Sequence, residues 1–205
     1  TGRTSRRLDL AAALAITSTD GVAPTGTVVI NAGATYTTSR TVTLTLAATD
    51  AVGVTAMCVD ACTSFVPYAT TLSYTLPAGA DGTRTVTVRY RDAAGNVSAA
   101  ATDTIALDTV APSLSATATL AARTLTLRWT GADATSGLAS YRVVALAGTT
   151  APAARCTNGT VLASGTTTTV NHGPLAAGAR WSYRLCATDR AGNTTPGAVL
   201  LVTVP

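Results

Sequence analysis

Residues 41–46 read Thr-Val-Thr-Leu-Thr-Leu. Strict alternation of polar and apolar side chains is the period of a strand with one buried face. The same rhythm runs through residues 83–90. It returns at 124–130, where Leu125, Leu127 and Trp129 share a face, and at 181–187, where Trp181, Tyr183 and Leu185 do. Shorter strand-like runs are read at 27–30, 54–59, 71–76, 100–107, 113–119, 138–145, 166–170 and 199–204. Between them lie turn-rich stretches at 31–34, 50–53, 77–82, 92–96 and 133–137, and a loop around Cys156 and Gly159. No segment has the length and caps of an ordinary helix. Short strands separated by turns about every twelve residues predict an all-β chain built as antiparallel sandwiches.

The chain repeats itself. Arg91-Asp92-Ala93-Ala94-Gly95-Asn96-Val97-Ser98 returns as Thr188-Asp189-Arg190-Ala191-Gly192-Asn193-Thr194-Thr195, and Asp20-Gly21-Val22-Ala23-Pro24-Thr25 returns as Asp108-Thr109-Val110-Ala111-Pro112-Ser113. A period near ninety residues predicts two tandem immunoglobulin-like β-sandwiches. They are placed at 22–110 and 111–205, with 1–21 the tail of a preceding module or a linker. Pro24 and Pro112 fall at the module starts, where a proline stiffens the entry without costing a ladder hydrogen bond. A short, semi-rigid junction and a stalk-like array follow from that.

Composition narrows the function. All 14 basic residues are Arg, and Lys, Glu and Gln are absent, which starves helices and leaves Thr and Val to favour strands. The formal charge of +4 comes from arginines scattered along strands, a solvated sheet face and not a nucleic-acid footprint. No run of eighteen apolar residues is present, so no transmembrane helix is expected. The stretch 8–16 behind Arg3, Arg6 and Arg7 only faintly mimics a signal peptide.

Four cysteines allow three pairings. One bridge per module is expected, Cys58–Cys62 clipping a short loop and Cys156–Cys186 tying a loop to a long strand. Bridges imply an oxidising compartment. Zinc is disfavoured, because His172 is the only histidine and the cysteines fall in different modules. His172, in Asn171-His172-Gly173-Pro174, reads as a solvated turn residue. No nucleophile elbow or phosphate-binding glycine loop is present, so a catalyst is not expected.

The Asp-x-Ala-Gly-Asn turn has a purely structural reading: Asp accepts backbone N–H bonds, while Gly and Asn tolerate left-handed geometry. The functional reading is Ca²⁺, which takes hard oxygen ligands. Asp20, Asp92, Asp103 and Asp108 lie toward module ends, where a turn and a linker could bring carboxylates together. Phe65 and Tyr68, just after the Cys58–Cys62 clip, are either anchors of the loop or a surface for a sugar or protein.

These residues resemble bacterial extracellular modules. In the first half the resemblance runs through Ile30-Asn31-Ala32-Gly33, Val42, Leu44, Leu46, Asp50 and the Asp92–Asn96 turn, and is immunoglobulin-like. In the second it runs through Trp129, Asp133, Ser136-Gly137-Leu138, Tyr141-Arg142-Val143, Cys156, Tyr183 to Cys186 and Asp189 to Asn193, and is fibronectin type III-like. It covers about 22–204. It implies non-catalytic structural or adhesive modules forming a semi-rigid stalk in a larger secreted or cell-surface bacterial protein. The partners are then neighbouring domains of that protein and a surface protein or glycan, with no nucleic acid and no membrane insertion. It also implies Asp20, Asp92, Asp108 and Asp189 as ligands of a Ca²⁺ at the interdomain junction. Two alternatives stand beside it: a glycan- or protein-binding module using the Cys58–Cys62 loop, and a spacer accessory to a secreted hydrolase.

Overall fold

The structure is a computed structural model that describes residues 20–205. The expected tail before residue 20 lies outside the described residues. The chain is all-β and forms two tandem β-sandwiches.

The first repeat contains β1 (Thr25–Ile30), a single 3-10 turn (Asn31–Gly33), β2 (Tyr36–Thr37), β3 (Thr41–Thr49), β4 (Val54–Val59), β5 (Val66–Pro67), β6 (Thr71–Thr75), β7 (Gly82–Asp92) and β8 (Ala101–Leu107). One sheet has the order β1-β3-β6 and the other β2-β8-β7-β4-β5. The alternation read from sequence is physical in β3, where Val42, Leu44 and Leu46 are buried and the intervening threonines exposed. Strand β7 behaves the same way, burying Val86, Val88, Tyr90 and Asp92. Tyr90 crosses the repeat to donate its hydroxyl to the carbonyl of Thr27 at 2.5 Å. Gly26 makes room for that ring, since a Cβ there would stand 2.4 Å from it. Burial pushes the Tyr90 phenol up to about 12, with a smaller contribution from Tyr68.

The second repeat contains β9 (Ser113–Ala121), β10 (Thr124–Ala132), β11 (Leu138–Ala147), β12 (Thr160–Gly165), β13 (Thr169–His172), β14 (Arg180–Asp189), β15 (Thr194–Pro196) and β16 (Leu200–Thr203). Its sheets are β13-β10-β9 and β12-β11-β14-β15, with β16 also on β14. Leu125, Leu127 and Trp129 of β10 meet Tyr141, Val143, Tyr183 and Leu185 in one core. Trp129 and Tyr141 touch edge to face at 6.0 Å, a preferred aromatic geometry. Central strand β14 buries residues on both faces: Tyr183 and Leu185 pack into the core, and on the other face Ser182 and Cys186 are covered by the loop that carries Thr150 and Cys156.

Two local expectations are corrected. The loop read around Cys156 and Gly159 holds, but the strand expected at 166–170 is displaced: β13 begins only at Thr169, and a strand not read from sequence, β12, pairs antiparallel with β11 across a bulge at Val143/Val144. It lacks alternation because it is an edge strand that buries no full face. His172 is not a solvated turn residue. It ends β13, shares a 2.9 Å hydrogen bond with the Tyr183 hydroxyl and stacks edge-on against Trp181 at 4.7 Å. Burial holds its pKa below the usual histidine value.

Both disulfides form within their own repeats. Cys58–Cys62 closes four positions at the end of β4, and Cys156–Cys186 closes thirty, pinning the loop before β12 to β14.

Candidate metal centre: a carboxylate triad at each module entry

The duplicated signatures meet in space. In the first repeat the entry segment ahead of β1 lies against the turn after β7. The Asn96 side-chain amide donates to the carbonyls of Asp20 (2.8 Å) and Val22 (3.3 Å), and to Asp92 Oδ2 (2.8 Å). In the second, Asn193 does the same to Asp108 (3.0 Å), Val110 (3.4 Å) and Asp189 Oδ2 (2.9 Å). One Asn thus fastens each linker to the module that follows it.

The turn that presents the Asn is built by its own Asp. Asp92 Oδ1 accepts the N–H of Asn96 at 2.8 Å, and Asp189 Oδ1 accepts those of Gly192 and Asn193 at 2.7 and 2.8 Å. The glycines are at φ +98° in both turns, a conformation an L side chain rarely adopts. Burial works against the Asp92 charge, but the Asn96 side chain and the backbone N–H groups of Asn96, Gly95 and Ala94 outweigh it. Its carboxyl sits below the usual carboxylate range.

A third carboxylate completes each group. Asp50 joins Asp20 and Asp92, and Asp133 joins Asp108 and Asp189, with one oxygen of each residue within 4.8 Å of the others in its group. Of the residues anticipated from sequence, Asp20 and Asp92 come together, as do Asp108 and Asp189. Each turn meets the linker in front of its own module. Asp103 lies elsewhere, its Oδ2 accepting the N–H of Ile30 at 2.7 Å.

Asp50 and Asp133 were missed as ligands, although both open turns that the sequence marks as such. Asp50 Oδ1 accepts from Val52 N–H (2.9 Å), whereas Asp133 Oδ1 accepts from the N–H groups of Thr135, Ser136 and Gly137 (3.1, 2.9 and 2.7 Å). The common Asp-Ala start and the later Gly53 and Gly137 were the available signal. Both glycine carbonyls accept from the opposing turn, Gly53 from Ala93 N–H at 3.1 Å and Gly137 from Arg190 N–H at 3.0 Å.

The loops differ by one residue. Between Asp133 and Gly137 stands a buried Ser136 with no counterpart between Asp50 and Gly53. Ser136 N–H donates to Asp108 Oδ2 at 3.1 Å, and its Oγ accepts from Ala191 N–H at 3.2 Å. In the first repeat the equivalent atom, Asp20 Oδ2, is buried with no hydrogen-bond partner among the described residues. The other oxygen of each entry Asp does the same work, Oδ1 accepting from Val22 N–H (3.0 Å) or Val110 N–H (3.3 Å). For a hard divalent cation the donor set of the first repeat fits better, because a buried carboxylate oxygen there lacks a donor.

The Cys58–Cys62 loop is arranged differently from a presented pair of aromatics. Phe65 is half-buried with the Arg91 guanidinium 4.4 Å above its ring. Tyr68 is half-buried too, its oxygen accepting Ala48 N–H at 3.1 Å while its ring meets Tyr90 edge-on at 5.9 Å. No described helix is long and apolar enough to cross a membrane.

No protein-family model matches the sequence, and comparison with curated proteins finds no match. Solved structures do match. The chain is similar to domains A168–A170 of titin at 13% identity and a TM-score of 0.52, over 87% of this chain and 66% of that one, just under two thirds of its length. It is also similar to the fibronectin(III)-like modules of Clostridium thermocellum CbhA (14% identity, TM-score 0.48, 86% of this chain and 93% of that one). Domains FN1–FN3 of chicken CNTN1 match at 13% identity and a TM-score of 0.47, over 89% and 67%. The titin match bears on the fold alone, and it agrees with the two tandem β-sandwiches described above.

Proposed function

We propose that the two repeats are non-catalytic modules of a larger secreted or surface protein of bacterial type, serving as a semi-rigid stalk that sets the direction of the domains on either side. The observation that carries this is the repeated Asn clamp. A linker that wandered freely would need no half-buried amide across two of its carbonyls, and here the arrangement is built twice from the same residues. Two disulfides support an oxidising, extracellular setting. Phe65 and Tyr68 are engaged within their own repeat, so loop recognition of a glycan or protein is not the reading advanced.

The stalk is stiffened by Ca²⁺ at the first entry, where Asp20, Asp50 and Asp92 would hold it. The ion supplies charge neutralisation for three adjacent carboxylates and a partner for Asp20 Oδ2. Support comes from the geometry of the triad and that unsatisfied oxygen.

A thermal melt of the oxidised protein with millimolar Ca²⁺ and then with excess chelator tests the ion. A rise in Tm, reversed by chelation and lost in Asp20→Ala, supports it, and no shift removes it. Solution scattering tests the stalk independently of any ion. The unaltered chain is expected to show one narrow set of interdomain distances, broadened by Asn193→Ala. A collapsed, mobile pair of modules in the unaltered chain would overturn the reading.

A further inference from the structure

Sheet edges present unpaired backbone N–H and C=O groups, and proteins that remain monomeric blunt them with charges, prolines or brevity. Some edge strands among the described residues follow that rule: β5 and β15 contain Pro67 and Pro196, and β2 is two residues long. Strand β9 does not. It is nine residues long, the longest edge strand among the described residues, and contains no charged residue, no proline and no glycine. One side pairs with β10 along all nine residues, and the other carries no strand among the described residues.

Its sequence is close to a palindrome: Ser113-Leu114-Ser115-Ala116-Thr117-Ala118-Thr119-Leu120-Ala121. An antiparallel pairing of β9 with itself about a two-fold axis at Thr117 sets Leu114 opposite Leu120 of the second copy. Ala116 then faces Ala118, and Ser115 faces Thr119. Apolar meets apolar on the inner face and hydroxyl meets hydroxyl on the outer, the cross-strand pairs that stabilise antiparallel sheets. The inner face is known from the register with β10, since Leu114, Ala116, Ala118 and Leu120 pair with Gly131, Trp129, Leu127 and Leu125.

The space beside that edge is open. A groove of about 590 Å³ lies between β9 and residues 197–200, lined by Leu114, Leu127, Tyr183, Leu185 and Leu200. The one charged residue on its wall, Arg184, turns its guanidinium to the Gly197 carbonyl at 3.4 Å. Ala116 and Ala118 are exposed although they stand on the core side of their strand. A strand added beyond β9 would place its own inner-face leucines over this groove.

We infer that β9 is a self-complementary docking edge, through which two copies of this chain associate about a two-fold axis at Thr117 into one continuous sheet. Such an interface is isologous and closes on itself, which limits it to a dimer. It goes beyond the stalk reading, because it couples stalks side by side and does not depend on the entry triads or on an ion. Nine paired residues and a modest groove make a small interface, so the association belongs to the weak range of protein contacts.

Sedimentation equilibrium of the full 205-residue chain from micromolar to millimolar concentration tests this. The unaltered chain is expected to pass from monomer to dimer. Thr117→Lys puts two ammonium groups face to face at the axis and is expected to weaken association roughly tenfold or more. Thr117→Asp is expected to do the same alone, and an equimolar mixture of the two variants is expected to restore a dimer containing one of each. Rescue by mixing separates edge pairing from a folding defect. A chain that is monomeric throughout overturns the inference. So does a dimer indifferent to Thr117→Lys, or variants that stay apart when mixed.

Discussion

The two module entries are assembled from the same parts and end in different electrostatic states. Asp20, Asp50, Asp92 and Asn96 in the first repeat stand where Asp108, Asp133, Asp189 and Asn193 stand in the second. Ser136 alone separates them. Its N–H gives Asp108 Oδ2 a partner, and without a counterpart Asp20 Oδ2 is left buried and unpaired. A clustered carboxylate can be stabilised by backbone donors or by a cation, and the second repeat has taken the first route. The comparison teaches that a duplicated acidic motif is not two copies of one site: its chemistry is decided by the donors that the neighbouring loop supplies.

The largest difference between the repeats is covalent. Closing thirty positions restricts the unfolded chain more than closing four. On the chain-entropy estimate the difference is about 3–4 against about 2 kcal/mol. Replacing Cys156 and Cys186 by Ala is expected to lower the second transition in denaturant unfolding by that larger amount. The Cys58/Cys62 double variant should move the first by about half as much. Equal losses would show that the short clip does more than restrict the unfolded chain.

A smaller effect bears directly on the triads. Asp108→Ala removes the Val110 N–H contact and the second acceptor of a buried Ser136 N–H that keeps Asp133 Oδ1, and is expected to cost about 2 kcal/mol. Asp20→Ala removes a carboxylate whose Oδ2 has no donor, losing only the Val22 N–H contact through Oδ1, and should cost about 1 kcal/mol in chelator. Inserting a serine between Val52 and Gly53 sharpens the contrast. It should supply the missing donor, raise the cost of Asp20→Ala toward that of Asp108→Ala and abolish any response to Ca²⁺. If the two Asp→Ala variants cost the same before the insertion, the one-residue difference between the loops is not what distinguishes the sites.

Much of this architecture was legible in the sequence because its signals are local. Strands β3, β7, β10 and β14 alternate strongly enough to be read one by one, and the two repeated signatures name two of the three carboxylates in each triad. Both cysteine pairings could be anticipated by assigning one bridge to each repeat. Strands β2, β5 and β15, of two or three residues, were not legible: they exist only because a neighbouring strand offers them a register. Asp50 and Asp133 were passed over for a related reason. They lie where the two repeats differ in length, so matching the repeats did not align them. Their approach to the other carboxylates is also a tertiary fact that spacing does not encode. His172 looked solvated because its neighbours Gly173 and Pro174 signal a turn, while the aromatic rings that enclose it come from β14.

The smallest expected effects are those of pH, and they separate the repeats again. In the second repeat, burial lowers the pKa of His172 below its unfolded value near 6.5. The unfolded chain therefore binds the proton first, and stability present above that pH falls as acid is added. The first repeat has no histidine among its described residues and should be unchanged through the same window. Its own acid response comes lower. The carboxyl of Asp92 is held below the ordinary 3.8, so its contribution is present above that value and is lost as pH falls further. At the alkaline end the repeats should converge. Burial pushes Tyr90 and Tyr183 up to about 12 from 10.0, so both contribute stability that is full below pH 10 and lost between 10 and 12. Melts followed from pH 8 to 5 should lower only the second transition, with His172→Phe removing the change. A fall of both transitions together would mean that acid acts on something the repeats share, and the carboxylate triads would be the first place to look.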